Sequence, residues 1–204
     1  MRVRTHTNPF NFHFELNPED YADQLAHLPD QIMVEIGCGR GVFLRHYAKN
    51  NPEQYSLGIE IRKPLVTLLN QRLHQLGLSN ASVIYGEGRQ VITQLLRLKQ
   101  IQTLCVFHPD PWLKKRHHKR RVIHERFLDD VRPYLSDTAR IHISTDVGEL
   151  HAAMDETIHA VPWLSQVDHD PFWETQYASH WHQFSKETGR KTWCMTAKIN
   201  LAHS

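Results

Sequence analysis

Long apolar runs, paired cysteines and glycine- or serine-rich linkers are missing from this chain of 204 residues. No stretch approaches the roughly 20 consecutive apolar residues that a membrane-spanning helix needs. The first 20 residues contain basic side chains but no apolar core, which is unlike a secretory signal or a transit peptide. We therefore expect no membrane partner, and the cytoplasm is the default location.

The cysteines and histidines do not form the spacings of a metal site or a disulfide framework. Cys38, Cys105 and Cys194 are odd in number, far apart and outside any C-x-x-C pair. His117 and His118 are adjacent, but the permanent positive charges around them would repel a divalent cation. We predict free thiols and no metal.

Repeats and low-complexity segments are also absent, and the length fits one domain. The only candidate boundary lies near residue 30, after a leader rich in Asn, Pro and aromatic residues. We predict an N-terminal arm over residues 1–30 and one domain over residues 31–204. The oligomeric state is left open between a monomer and a homodimer.

From residue 32 onward, short apolar strands alternate with stretches of helical periodicity. This alternation predicts an α/β fold, with a mostly parallel, doubly wound sheet and helices on both faces. Ligands of such a sheet bind beyond the carboxyl ends of its strands. The predicted strands are 32–36, 55–61, 81–86, 103–108, 139–145 and a pair around 163–168 and 193–201; the predicted helices are 42–50, 63–77, 89–100, 148–160 and one near 119–131.

The stretch EIGCGRG, residues 35–41, has the position of a nucleotide-type loop, between the first strand and the first helix of this pattern. Gly37, Gly39 and Gly41 give Gly-x-Gly-x-Gly, whereas a dinucleotide loop would need glycine where Val42 stands. No Gly-Lys-Ser/Thr sequence follows, so a triphosphate is disfavoured. Such a loop can also merely tighten a strand-to-helix junction.

Three acidic residues favour a cofactor at this loop. Glu35 belongs to the first strand, Glu60 ends the second, and Glu87 follows the third. A carboxylate in the position of Glu60 can accept hydrogen bonds from both ribose hydroxyls, and Glu87 could face an adenine. S-adenosylmethionine carries a sulfonium, an ammonium and no phosphate, so it suits these acids better than NAD does.

The stretch FHPDPWLKKRHHKRR, residues 107–121, follows the fourth strand. Prolines on both sides restrict the backbone of Asp110 and aim its carboxylate. It could accept hydrogen bonds from N1 and N2 of a guanine, while Trp112 offers a flat apolar surface.

Positive charge is concentrated directly behind this aspartate. Six Lys and Arg residues lie within this stretch. Without them, 18 basic and 22 acidic residues would remain in the chain, so the positive charge is local. A basic run is often only a solvated face, but here it could neutralise the phosphates of a nucleic acid. The six residues are Lys114, Lys115, Arg116, Lys119, Arg120 and Arg121.

Four segments, VEIGCGRGVFL, GIEIRKPLV, FHPDPWLKKRHHKRR and STDVGEL, together resemble the TrmB-type tRNA (guanine-N7-)-methyltransferase family across about residues 33 to 150. The resemblance implies a Rossmann-like class I fold that uses S-adenosylmethionine, methylation of N7 of a guanine in the tRNA variable region, and no metal. It also implies that Glu35 and Glu60 bind the cofactor, that Asp110 is the catalytic acid, and that Lys114 and the arginines after it contact RNA.

Two further positions follow from the same resemblance. Glu87 stands where the family usually has a smaller Asp or Asn, and Asp146 belongs to a Thr-Asp pair near the target base. At the carboxyl end the family carries Thr-x-x-Glu, whereas the matching segment here begins at Ser179 and ends at His182. Ser179 can replace the threonine hydroxyl, but His182 cannot replace the carboxylate. Glu174 or Glu187 could supply that acid instead.

This departure keeps two other functions open. One is a related methyltransferase that acts on another RNA or on a small molecule. The other is an RNA-binding protein that has lost transfer activity, although such a protein would have no need of Glu35, Glu60 and Asp110 together.

Overall fold

The computed structural model describes residues 16–178, 189 and 191–200. Its centre is a seven-stranded sheet in the order β3-β2-β1-β4-β5-β7-β6. Strands β1 to β5 are parallel, and β7 runs antiparallel to both β5 and β6. The strands are β1 (Ile32–Ile36), β2 (Tyr55–Glu60), β3 (Ala81–Tyr85), β4 (Ile101–Phe107), β5 (Leu135–Thr145), β6 (Leu164–Val167) and β7 (Trp193–Ile199).

Helices cover both faces of the sheet because successive side chains of a strand point to opposite sides. In β1, Val34 packs into the larger core cluster with residues of α4, α5 and α6, and Met33 packs into a second cluster with residues of α2, α3 and α7. The predicted α/β class is confirmed. The helices are α1 (Ala22–Ala26), α2 (Val42–Asn50), α3 (Lys63–Gln75), α4 (Gly88–Leu95), α5 (Glu125–Val131), α6 (Gly148–Ala160) and α7 (Phe172–Thr175).

Two predicted helices differ in extent from the observed ones. Helix α4 stops at Leu95 because Leu96 is extended and the Arg97 amide donates to the side chain of Gln100, which closes a turn. The helix predicted near 119–131 is divided into a 3-10 turn over Lys115–Arg120 and helix α5, separated by extended backbone. Strand β5 is longer than predicted, since its pairing with β4 begins at Leu135.

Strand β3 lies at one edge of the sheet, and neighbouring side chains satisfy part of its outer backbone. The amide of Asn70 in α3 donates to the carbonyl of Val83 and accepts from the Val83 amide, at 2.8 Å in both directions. The hydroxyl of Tyr21 donates to the Tyr85 carbonyl at 3.0 Å. The described part of the leader thus packs along this edge, and Leu16 contacts the main core cluster.

Other 3-10 turns connect these elements, at Pro18–Tyr21 and Arg132–Tyr134. Across the described residues, no helix combines the length and the apolar character that crossing a bilayer requires.

Candidate active site

The carboxyl ends of the five parallel strands meet at one edge of the sheet, where the predicted site residues follow them. Strands β1 and β4 are neighbours, with β2 and β3 on one side and β5 on the other, so the strand order reverses between them. A crevice forms at such a switch point in a doubly wound sheet. Two loops flank it, and we call residues 37–41 the glycine loop and residues 108–112 the Asp110 loop.

The glycine loop takes left-handed backbone conformations at all three glycines. The φ angles are 73° at Gly37, 57° at Gly39 and 64° at Gly41, a region that other L-residues enter only with strain. The Gly37 amide donates to the carbonyl of Ile59 in β2 at 2.8 Å, which ties the loop to the neighbouring strand. A side chain at Gly41 would meet Leu69 at 2.5 Å, so helix α3 also needs glycine there.

Glu60, at the end of β2, is buried and holds the glycine loop through a hydrogen bond. Its carboxylate accepts the Gly39 amide at 2.8 Å. It also accepts the Arg62 backbone amide and two guanidinium nitrogens of Arg62, at 2.9 to 3.1 Å. These hydrogen bonds, with the charges of Glu60 and Asp110, raise the pKa of Arg62. Arg62 therefore bonds Glu60 directly and also senses the charge of Asp110.

Glu35 is buried beside Glu60 with one oxygen, Oε2, that has no hydrogen-bond partner. Burial, followed by the negative charge of Glu60, raises its pKa to about 8, although a hydrogen bond from the Leu44 amide acts in the opposite direction. A buried acceptor without a donor is costly, so this oxygen is a natural place for a ligand's donor or positive charge.

Glu87, after β3, has a local structural role. Its two carboxylate oxygens accept the backbone amides of Arg89 and Gln90, each at 3.0 Å, and so cap the amino end of α4. A carboxylate at this position also stabilises the positive end of the helix dipole. The contact of Glu87 with an adenine stays a prediction.

The Asp110 loop begins and ends with residues other than glycine in left-handed conformation. The φ angles are 47° at His108 and 42° at Trp112, and Asp110 lies midway between them. The buried guanidinium of Arg121 donates to the Pro111 carbonyl at 3.0 Å and fixes the end of the loop.

The basic segment divides into exposed and anchored residues. Lys114, Lys115 and Arg116 are exposed. The guanidinium of Arg120 lies 5.0 Å from the centre of the Trp112 ring, a cation–π distance. Arg121, in contrast, is buried, and besides Pro111 it bonds Glu149 at 3.0 Å. The exposed part of the segment thus presents its charge to solvent, while Arg121 points inward.

A buried group of polar side chains, of which the sequence singled out Asp146 alone, connects this loop to β5. His108 Nδ1 lies 3.4 Å from Oδ1 of Asp146, and His108 Nε2 lies 2.9 Å from the hydroxyl of Tyr177. The same hydroxyl lies 2.7 Å from the hydroxyl of Ser144. The signal available in the sequence was position alone, because His108 comes directly after β4 and next to Pro109 and Asp110.

Two predicted substrate contacts, Ser179 and His182, lie outside the described residues, as does Glu187. Glu174, the other acid considered for that role, is exposed on α7. Among the residues that the structure describes, no group of three or more His, Cys, Asp or Glu side chains could hold a metal ion.

Comparison with known proteins places this site in a family. A family model described as "Putative methyltransferase" matches residues 29–199. The tRNA (guanine-N(7)-)-methyltransferase of Microcystis aeruginosa (strain NIES-843) is 32% identical over 179 residues, which cover 85% of each chain. The enzyme of the same name from Prochlorococcus marinus (strain MIT 9215) is 30% identical over 208 residues, covering 98% of this chain and 96% of that protein.

Solved structures with the same fold include other methyltransferases. The 16S rRNA methyltransferase KamB matches with a TM-score of 0.62 at 13% identity, over 89% of this chain and 94% of its own. The aminoglycoside resistance methyltransferase NpmB1 matches with a TM-score of 0.58 at 12% identity, over 92% and 95%. These likenesses concern the fold alone. From the extent of the family match and of the relatives' identity, the chain belongs to the TrmB family of S-adenosylmethionine-dependent methyltransferases.

Proposed function

We propose that this protein transfers a methyl group from S-adenosylmethionine to N7 of a guanine in the variable region of tRNA. The observation that carries the proposal is the pairing of two loops at the switch point of the sheet. One loop adjoins the buried acids Glu35 and Glu60, and the other presents Asp110 in front of the exposed basic segment. The names of the relatives described above support the same reaction.

The residues of the glycine loop fit the proposed cofactor, which when bound supplies a methyl group activated on a sulfonium. Glu35 offers a buried oxygen without a partner, where a cationic group would offset the unfavourable burial of the carboxylate. The three glycines bring the backbone close to a ligand without a side chain in the way. Glu87, which caps α4, would line the cofactor site on the side of β3.

Glu60 would hold the two ribose hydroxyls. In the structure its carboxylate is occupied by Gly39 and Arg62, and the Arg62 side chain is half-exposed. The guanidinium would therefore turn outward as the hydroxyls replace its two hydrogen bonds, while the backbone amides stay in place. This exchange conserves the number of hydrogen bonds to a buried carboxylate.

The target guanine would lie against the Asp110 loop. The Asp110 carboxylate would accept hydrogen bonds from the guanine N1 and N2 edge, which orients N7 toward the methyl group. N7 has a free lone pair at neutral pH, so the attack requires no base. Methylation makes the ring cationic, and the negative charges of Asp110 and Asp146 would stabilise it as it develops.

The exposed cations would bind the tRNA backbone. Lys114, Lys115 and Arg116 point to solvent, and Arg120 is held over Trp112 at the border of the loop. Such contacts supply affinity and orientation without reading sequence. Contacts from Ser179 and His182 belong to the same proposal. Arg121, predicted from the sequence as a further RNA contact, is buried, and we propose that it holds the Asp110 loop instead.

The test is incubation with labelled S-adenosylmethionine and bulk unmodified tRNA, followed by borohydride and aniline, which cleave RNA at N7-methylguanosine. Cleavage in the variable region supports the reaction and its position. Label without cleavage would indicate another atom or substrate, and cofactor binding without label would indicate an RNA-binding protein that has lost transfer activity.

The matched variants are Asp110→Asn and Asp23→Asn. Asn offers one acceptor and one donor where guanine presents two donors, so we expect Asp110→Asn to lose at least about 10²-fold in turnover. Affinity for S-adenosylmethionine should remain, because Asp110 lies on the other loop. Asp23 is exposed on α1, far along the chain from the site loops, and its variant should keep full activity.

A further inference from the structure

The buried polar group behind the Asp110 loop joins three parts of the chain. His108 belongs to the loop, Asp146 and Ser144 belong to the end of β5 and its following turn, and Tyr177 follows α7. The side chain of His108 is fully buried and that of Asp146 is 2% exposed. A polar group at this depth must satisfy its hydrogen bonds within the protein.

The hydrogen bonds can be assigned a direction. A carboxylate accepts only, so His108 Nδ1 donates to Asp146 across 3.4 Å. When the imidazole is neutral, its Nε2 accepts, and the hydroxyl of Tyr177, 2.9 Å away, donates to it. The Tyr177 oxygen in turn accepts from the hydroxyl of Ser144 at 2.7 Å. This chain of hydrogen bonds runs from Ser144 through Tyr177 and His108 to Asp146.

The backbone of His108 is fixed as well. Its amide donates to the Ser144 carbonyl at 2.8 Å, which extends the pairing of β4 with β5 by one residue beyond the strand. With φ at 47°, the chain turns sharply there, and Asp110 follows two residues later. The ring contacts of Tyr177 with Phe107 and Trp173, both at 4.9 Å, hold the hydroxyl end of the chain in place.

We propose that His108 is a positioning residue, which fixes the Asp146 carboxylate and the direction of the Asp110 loop relative to each other. The inference rests on the proposed function in that Asp110 contacts the target base. His108 itself exchanges no proton with the substrate, because methylation of N7 requires no base.

Two variants that both accept a left-handed backbone separate the side chain from backbone strain. His108→Asn keeps a donor near Nδ1, and Asn tolerates φ above zero. His108→Gly accepts the same φ with no side chain at all. We expect kcat on tRNA to fall about 10²-fold in His108→Gly, with most of it recovered in His108→Asn, while affinity for S-adenosylmethionine stays unchanged in both.

Tyr177→Phe is the third variant, since it keeps the ring and removes only the hydroxyl. It should reduce kcat less than His108→Gly does, because His108 keeps its bond to Asp146. Full kcat in His108→Gly would overturn the proposal, and so would equal losses in His108→Gly and His108→Asn. Urea denaturation of each variant shows that the fold is retained.

Nitrogen-15 NMR of the histidine ring tests the same assignment without any turnover. The wild type should carry the proton on Nδ1 of His108 and none on Nε2. Asp146→Ala removes the acceptor, and the proton should then move to Nε2 and face Tyr177. A proton on Nε2 in the wild type would overturn the proposal, whereas a wild type with this tautomer but no activity on tRNA would refute only the proposed function.

Discussion

The glycine loop and the Asp110 loop lie next to each other at the switch point, yet they reach left-handed conformations by different means. The first uses Gly37, Gly39 and Gly41, which enter this region freely. The second uses His108 and Trp112, for which a left-handed conformation costs about 1 to 2 kcal/mol each. Contacts from elsewhere in the fold offset this strain, from β5 and Tyr177 at one end and from Arg120 and Arg121 at the other.

The difference indicates where each loop gets its shape. The glycine loop reaches its conformation without strain through its own glycines, and hydrogen bonds to Ile59 and Glu60 and the close approach of Leu69 hold it there. The Asp110 loop is shaped by its surroundings, so residues distant in the chain control the direction of its aspartate. Strain maintained by the surrounding structure is typical of functional sites.

The largest expected effect contrasts two glycines of the same loop. Gly41→Ala should destabilise the protein by about 3 kcal/mol, since its Cβ would meet the buried Leu69 at 2.5 Å in addition to the backbone strain. Gly37→Ala should cost about 1 kcal/mol, because nothing lies within 4 Å of its Cβ and only the strain remains. Urea denaturation measures both, and equal losses would contradict the role given to Leu69.

The next effect concerns the anchor of the Asp110 loop. Arg121→Met should destabilise by about 2 kcal/mol, because it leaves the buried Pro111 carbonyl without its donor. Arg116→Met should change stability by less than about 0.5 kcal/mol, since Arg116 is exposed.

The same pair distinguishes anchoring from contact with RNA. Arg116→Met should lower the salt dependence of tRNA affinity by about one unit of slope. If Arg121→Met lowers that slope equally and leaves stability intact, Arg121 contacts phosphate directly instead of holding the loop.

A pH dependence of stability is expected from the acid beside the glycine loop. The unfolded Glu35 carboxyl loses its proton near its ordinary pKa of 4.5, whereas the native one keeps it up to about 8. The native state therefore binds more protons in this interval, and the free energy of unfolding falls by up to about 1.4 kcal/mol per pH unit as pH rises.

His142 contributes with the opposite sign at lower pH. Burial lowers its pKa to about 4 from an ordinary value of 6.5, so the unfolded state binds more protons between those values and stability rises with pH there. Among the residues that the structure describes, Glu35 is the one whose shifted pKa makes stability depend on pH between 6.5 and 8. Glu35→Gln should abolish the loss in that window, as measured by urea denaturation at both pH values, and an unchanged slope would assign it to another group.

Much of the fold was predictable because its signals are local. The extents of β1, α2 and α6 follow from apolar runs and helical periodicity, and the structure has them at the predicted residues. The predicted position of Glu60 at the end of the second strand is also observed. The ends of α4 and α5 were not predictable, since a turn closed by Gln100 and the histidine cap at His124 decide them.

The site was less predictable where long-range contacts decide the geometry. Glu60 and Arg62 are only two residues apart in sequence. Nothing in the sequence pattern distinguishes Arg62, which bonds Glu60, from an arginine that points to solvent. His108 and Tyr177 lie 69 positions apart and meet only in the folded protein. The inward direction of Arg121 likewise cannot be distinguished from the outward direction of Arg116 within one basic run.

The two hydrogen bonds between Asn70 and Val83 have a consequence for solubility. An edge strand with unpaired backbone groups can add a strand from another chain, which leads to aggregation. The Asn70 amide occupies both groups of Val83 at the centre of β3, as a neighbouring strand would, and Tyr21 occupies the carbonyl at its end. Asn70 and Tyr21 thereby hinder the addition of a strand from another molecule at this edge of the sheet.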